Sequence, residues 1–96
     1  MIVSFGDKAT EALYHGEPQK LIARLPAGVR EAALRKLDVL EAAQTLADLR
    51  SPPGNRLETL RGELRGFHSI RINDQWRIVF RWVGSDAHDV CIADYH

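Results

Sequence analysis

FHSIRINDQWRIVFRW, residues 67–82, is the stretch that decides the fold. Trp76, Ile78, Phe80 and Trp82 alternate with Arg77, Val79 and Arg81, and ahead of them His68, Ile70 and Ile72 alternate with Phe67, Ser69 and Arg71. A period of two is the mark of a strand with one buried face, so the stretch reads as a β-hairpin. Slipping the pairing by one residue would turn every side chain over, so both strands must give their apolar sets to one core. A turn of only Asn73 and Asp74 would set Ile70 against Arg77 and mix the two faces. A loop of Asn73, Asp74 and Gln75 sets Ile72 against Trp76 and Ile70 against Ile78, and Asn and Asp tolerate the left-handed backbone such loops use. That register puts Arg71 directly opposite Arg77, at a cost of roughly 0.2–1 kcal/mol for the like charges. Arg81 falls on the same face, about 13 Å farther along the strand. Neutralisation by nearby carboxylates, with Asp94 and Glu58 as candidates, is the ordinary explanation of such a cluster; an anionic ligand between the arginines is the better fit.

Charge distribution supports the second explanation. Lysines and arginines number 13, as do aspartates and glutamates, so the net charge is zero. Residues 50–82 nevertheless hold seven arginines (50, 56, 61, 65, 71, 77 and 81), no lysine, and only Glu58, Glu63 and Asp74 in opposition, a local balance of +4. Arginine grips phosphate through a planar, bidentate fork. The 96 residues suit one domain, residues 1–96, with a single modest core. No apolar run approaches the 18 residues of a membrane span, the N-terminus lacks the pattern of a signal peptide, and the single cysteine, Cys91, suits a reducing cytoplasm.

Outward from the hairpin, residues 88–94 read as a further strand, with Val90 and Ile92 toward the core and Cys91, Ala93 and Tyr95 on the other face. Beside the strand at 76–82, Cys91 and Ala93 would make a low floor next to the arginines, with Tyr95 and His96 at its rim. A tyrosine and a histidine beside arginines can supply proton transfer and charge stabilisation for phosphodiester cleavage. Toward the N-terminus, residues 56–60 read as a strand, and Gly62 and Gly66 flank a turn. Residues 51–55, Ser-Pro-Pro-Gly-Asn, end a helical half. In that half Val29, Ala33, Leu37 and Leu40 form one apolar stripe of a helix opened by Pro26 as its first residue, with helical character to Leu49 and a break near Gln44 and Thr45. Asp7 caps a shorter helix that stops near Gly16, residues 19–25 add one or two helical turns, and residues 1–5 read as a strand. The expected architecture is α+β, a mostly antiparallel sheet of four to five strands with two to three helices packed on one face. His68 shares parity with Ile70 and reads as a partly buried, hydrogen-bonded structural histidine, whereas His15 and His88 read as surface residues. The histidines and Cys91 have no metal-ligand spacing, and no metal site is expected.

Three pieces of the chain, SIRINDQWRIVF, the LxxLRG element ahead of it (Leu57, Leu60, Arg61, Gly62) and the terminal Asp94, Tyr95 and His96, together resemble the HigB-like toxins of the RelE/ParE superfamily. The N-terminal MIVSFGDKATEALYHG and the helix ending AQTLADL are similar to that family as well, so the resemblance spans essentially the whole chain. It implies a RelE-like fold and a toxin that enters the ribosomal 30S A site and cleaves mRNA there without metal or other cofactor, by attack of the 2′-hydroxyl on the adjacent phosphate. Carried over by position, Arg77 matches the arginine that stabilises the transition-state phosphate, and Tyr95 and His96, with Asp94, match the C-terminal catalytic cluster. Arg61 stands where relatives often have lysine, and with Arg65, Arg71 and Arg81 it is expected on the RNA backbone. One departure is Glu58, where some members have a histidine. If that histidine is an acid or base in them, Glu58, with a carboxyl raised toward neutrality, or His96 takes its role here, or the activity is lower; His96 is closer to that range by type. The resemblance also implies a HigA-like helix-turn-helix antitoxin, operator DNA bound only through that antitoxin, a cytoplasmic location and no membrane contact. Two other functions are compatible with the fold: a ParE-like noncatalytic inhibitor of DNA gyrase, which retention of Arg77, Tyr95 and His96 disfavours, and a noncatalytic RNA-binding module.

Overall fold

The computed structural model describes residues 1–18, 20–23 and 25–94. Helix α1 (Lys8–His15) starts as expected at Asp7, whose Oδ1 accepts from the backbone N–H of Thr10 at 2.8 Å. It ends at Gly16, where φ is 72°, a left-handed conformation that glycine adopts without a Cβ clash. After the short α2 (Lys20–Ala23), α3 runs from Ala27 to Ala42. Pro26 stands just before its first residue rather than in it, and its carbonyl accepts from the N–H groups of Val29 and Arg30. The stripe of Val29, Ala33, Leu37 and Leu40 is buried. The break near Gln44 and Thr45 is where Thr45 opens a 3₁₀ turn, Leu46–Arg50, through a reciprocal capping box with Asp48.

Strands β1 (Glu58–Thr59), β2 (Phe67–Arg71), β3 (Trp76–Val83) and β4 (Asp86–Asp94) form one antiparallel sheet in the order β1-β2-β3-β4. Ile70 pairs with Ile78 and Arg71 with Arg77, and the Ile72 N–H donates to the Trp76 carbonyl at 2.9 Å, which is the expected hairpin register. The expected strand at residues 56–60 is only two residues long. Residues 53–55 form a 3₁₀ turn, and Arg56 has φ 44°, which delays the extended backbone. Residues 1–5 do not make a regular strand either. They bridge the outer edge of β4 in parallel at two points, Ile2 with Ala87 and Phe5 with Val90. Between those points Asp89 takes φ 54° at a bulge opposite Phe80, and its N–H donates to Ser4 Oγ instead of continuing a ladder.

Helices α1 and α3 cover one face of the sheet. Leu37, Leu40 and Leu49 meet Ile70, Ile78, Phe80 and Val90 there, all fully buried. Beside this core Asn55, also fully buried, donates to the carbonyls of Leu49 and Ser51 and accepts from Lys36 Nζ on α3. These bonds anchor the segment after the 3₁₀ turn and so place Arg56 at the opposite face of the sheet, near Arg77. No helix among the described residues is long and apolar enough to cross a membrane.

Candidate active site

The face of the sheet away from the helices carries two cross-strand rows. Glu58, Ser69, Val79 and Cys91 pair in one; Arg71, Arg77 and Ala93 pair in the other. Arg77 is at their centre and is only 5% exposed. Its Nε donates to Ser69 Oγ at 2.8 Å, and its Nη2 donates to the Arg56 carbonyl at 2.6 Å and to the Ser69 carbonyl at 3.3 Å. Nη1 lies 3.9 Å from Glu58 Oε1, an ion pair rather than a hydrogen bond. The guanidinium is therefore bound along one edge by fixed acceptors, with a half-exposed carboxylate facing the other.

The other two arginines of this face are also partnered. Arg71 pairs with Asp74 in the hairpin loop, and Arg81 Nε donates to Asp89 Oδ2 at 2.7 Å. The face is thus a lattice of arginine–carboxylate pairs, and of the two carboxylates expected to take part Glu58 does so at Arg77. Asp94 is exposed, pairs in register with Trp76 and accepts from Gln75 Nε2 at 3.3 Å. Arg61 and Arg65 are exposed and flank the 3₁₀ turn Gly62–Leu64. Ala93 is directly beside Arg77 and Cys91 beside Val79, which makes the floor expected from the small residues of β4. Burial, and then the charges of Asp7 and Asp89, push the Cys91 thiol up, which disfavours the thiolate and suits a packing role. Tyr95 and His96 lie outside the described residues.

His68 is on the core side, as expected. Its Nδ1 is 3.1 Å from Thr59 Oγ1, its ring centroid is 5.9 Å from that of Phe80, and burial pulls its pKa down. His15 is exposed; His88, expected at the surface, is half-buried opposite Arg81. Among the described residues no group of three histidine, cysteine, aspartate or glutamate side chains is arranged to hold a metal. Two contacts of Arg77 had no motif to announce them. Ser69 had a faint signal, a small hydroxyl residue two positions before Arg71 and on its face, hence diagonal to Arg77. The Arg56 carbonyl had none, since its direction depends on a positive φ and on the buried Asn55.

Comparison with known proteins bears on the family and the fold. A family model described as the RelE-like toxin of the type II toxin–antitoxin system HigB matches residues 3–96. The chain is similar to Toxin HigB-1 of Vibrio cholerae serotype O1, 47% identical over 91% of this chain and 90% of the other. It is also similar to Endoribonuclease HigB of Proteus vulgaris, 27% identical over 100% of both chains. A solved chain of the YoeB-YefM complex from Staphylococcus aureus has the same fold, with a TM-score of 0.63, 16% identity, and coverage of 100% of this chain and 98% of that one. The α+β sheet with its arginine face, and a family match over all but the first two residues, lead to one conclusion: the chain belongs to the HigB-like toxins, RelE-like toxins of type II toxin–antitoxin systems.

Proposed function

We propose that this toxin is an endoribonuclease that cleaves mRNA on the ribosome, with Arg77 stabilising the phosphate in the transition state. The observation that carries the reading is the Arg77 guanidinium, held at Nε and Nη2 on the sheet face and bordered by Ala93. Tyr95 and His96 follow Ala93 by two and three residues in the sequence. The name of the Proteus vulgaris relative, an endoribonuclease, supports the same reaction class.

In the proposed step the 2′-oxygen of one nucleotide attacks its own 3′-phosphate while its proton passes to a base. The bond from phosphorus to the 5′-oxygen of the next nucleotide breaks, and that oxygen takes up a proton. The products are a 2′,3′-cyclic phosphate and a 5′-hydroxyl, with atoms and charge balanced. Negative charge grows on the phosphate oxygens, and a guanidinium that needs no reorientation lowers its energy most effectively. His96, an imidazole by type near neutrality, is assigned the proton transfer, with Tyr95 and Asp94 beside it in sequence. Glu58 stands 3.9 Å from Arg77, where it balances part of the guanidinium charge, and the role of base is assigned to His96 instead. Arg61, Arg65, Arg71 and Arg81 are assigned to the RNA backbone. The family description implies an antitoxin partner; a HigA-like helix-turn-helix protein, with operator DNA reached only through it, and a cytoplasmic site of action complete the proposal.

Purified toxin added to translating ribosomes, and separately to the same mRNA alone, tests this. Cleavage with 2′,3′-cyclic phosphate ends, confined to the ribosome-bound mRNA and undiminished by EDTA, is the expected result. Intact mRNA together with inhibited DNA gyrase would replace the reading with that of a gyrase poison.

A further inference from the structure

Ser69 is fully buried, yet it stands on the arginine face, paired with Glu58 on one side and Val79 on the other. Its Oγ accepts from Arg77 Nε at 2.8 Å and its carbonyl accepts from Nη2 at 3.3 Å, so one residue holds two of the three nitrogens of the guanidinium. The third contact on that edge is the Arg56 carbonyl at 2.6 Å. Arg56 reaches it through a left-handed φ of 44°, a strained conformation for a non-glycine residue that persists where the surroundings impose it. The adjacent, fully buried Asn55, bonded to Leu49, Ser51 and Lys36, is that surrounding. A serine hydroxyl and a strained carbonyl therefore converge on the same edge of a side chain that otherwise has freely rotating torsions.

We infer that Ser69 is a positioning residue of the site: its buried hydroxyl sets the plane of the Arg77 guanidinium so that the Nη1 side, toward half-exposed Glu58, meets the incoming phosphate. This rests on the reading of Arg77 given above. Ser69 itself touches no substrate. A guanidinium oriented before the RNA arrives loses no time or free energy in reorienting as charge develops, and the effect belongs to the chemical step rather than to docking. If the hydroxyl served only to satisfy a buried donor, its loss would lower stability and leave the rate of the folded protein alone.

Single-turnover cleavage of ribosome-bound mRNA, measured across toxin concentrations, distinguishes the two for wild type, Ser69→Ala, Ser69→Thr and Arg77→Lys. In Ser69→Ala the limiting rate should fall roughly tenfold to hundredfold with an unchanged half-saturating concentration, and Ser69→Thr, which keeps the hydroxyl, should recover most of it. In NMR spectra the Arg77 Nε–H should be protected from solvent exchange in the wild type and exchange rapidly in Ser69→Ala. If Ser69→Ala does not fold, Ser69→Cys, close in volume but a weak acceptor, should show the same fall. A wild-type limiting rate in the folded Ser69 variant, beside a lost rate in Arg77→Lys, would overturn the inference and leave Arg77 in its role. Wild-type cleavage by Arg77→Lys would instead overturn the reading of Arg77, and the inference with it.

Discussion

Arg77 is almost entirely buried, so acceptors for its guanidinium must be supplied by the fold. Truncating it leaves the Ser69 hydroxyl and the carbonyls of Ser69 and Arg56 without their charged donor. Arg77→Ala should therefore lower stability by about 1–3 kcal/mol, read from urea unfolding, beyond whatever it does to cleavage; an unchanged midpoint would mean that the guanidinium is not held as described. Strand parity alone revealed that Arg71 faces Arg77. It could not reveal that Arg77 is buried, because that depends on Arg56 and Asn55, which are distant in sequence from β3 and have no local signature of their role. His68 has a separate consequence. Its burial lowers the folded-state pKa below the unfolded value, so the unfolded chain binds the proton first as pH falls. Stability contributed by the neutral ring is complete above the ordinary histidine range and is lost as pH drops below it. Replacing the ring in His68→Gln should flatten the stability difference measured between pH 7 and pH 5, and an equal slope in both proteins would remove His68 from that dependence.

At the scale of elements, the signals that proved sufficient were local ones. Asp7 caps α1 with its own carboxylate, and Asp7→Ala should cost about 1 kcal/mol, visible as a lower melting temperature with the sheet otherwise intact. Alternation specified β2 and β3, since one face of each carries the apolar set that packs under the helices and a slip would expose it. Residues 1–5 and 56–60 look as strand-like as the true strands, but their backbone is governed by partners. Residues 1–5 meet a β4 edge interrupted at Asp89, and Arg56 is turned out of the extended region before β1 starts. The join at the β4 edge is tight. A Cβ built on Gly6 would lie 2.8 Å from the Asp89 carbonyl oxygen, which is backbone and cannot swing aside. Gly6→Ala should loosen the N-terminal bridges, seen as faster amide exchange at position 6 and at Val90 than in the wild type; unchanged protection there would refute the contact.

For the whole molecule, one α3 stripe packed on one sheet face builds the core, and Leu37 is fully buried within it. Leu37→Ala should destabilise the protein by roughly 2–5 kcal/mol, enough to threaten folding of a domain this small. Composition, period and turn residues were adequate to foresee this α+β arrangement, because each local preference agrees with the global fold. The candidate site was legible only in part: its arginine face came from register, whereas the carboxylates that pair with Arg71 and Arg81, Asp74 and Asp89, lie in a loop and a bulge whose geometry alternation does not describe. The central claim is that this face cleaves mRNA through Arg77. Its most direct measurement is a map of mRNA 5′ ends in bacteria briefly expressing the wild-type protein, Arg77→Ala or Arg77→Lys, with folding of each checked by circular dichroism. New 5′-hydroxyl ends within translated reading frames, present with the wild type and absent with both folded variants, are the expected result. Growth arrest without new ends, or the same ends from all three proteins, would contradict it.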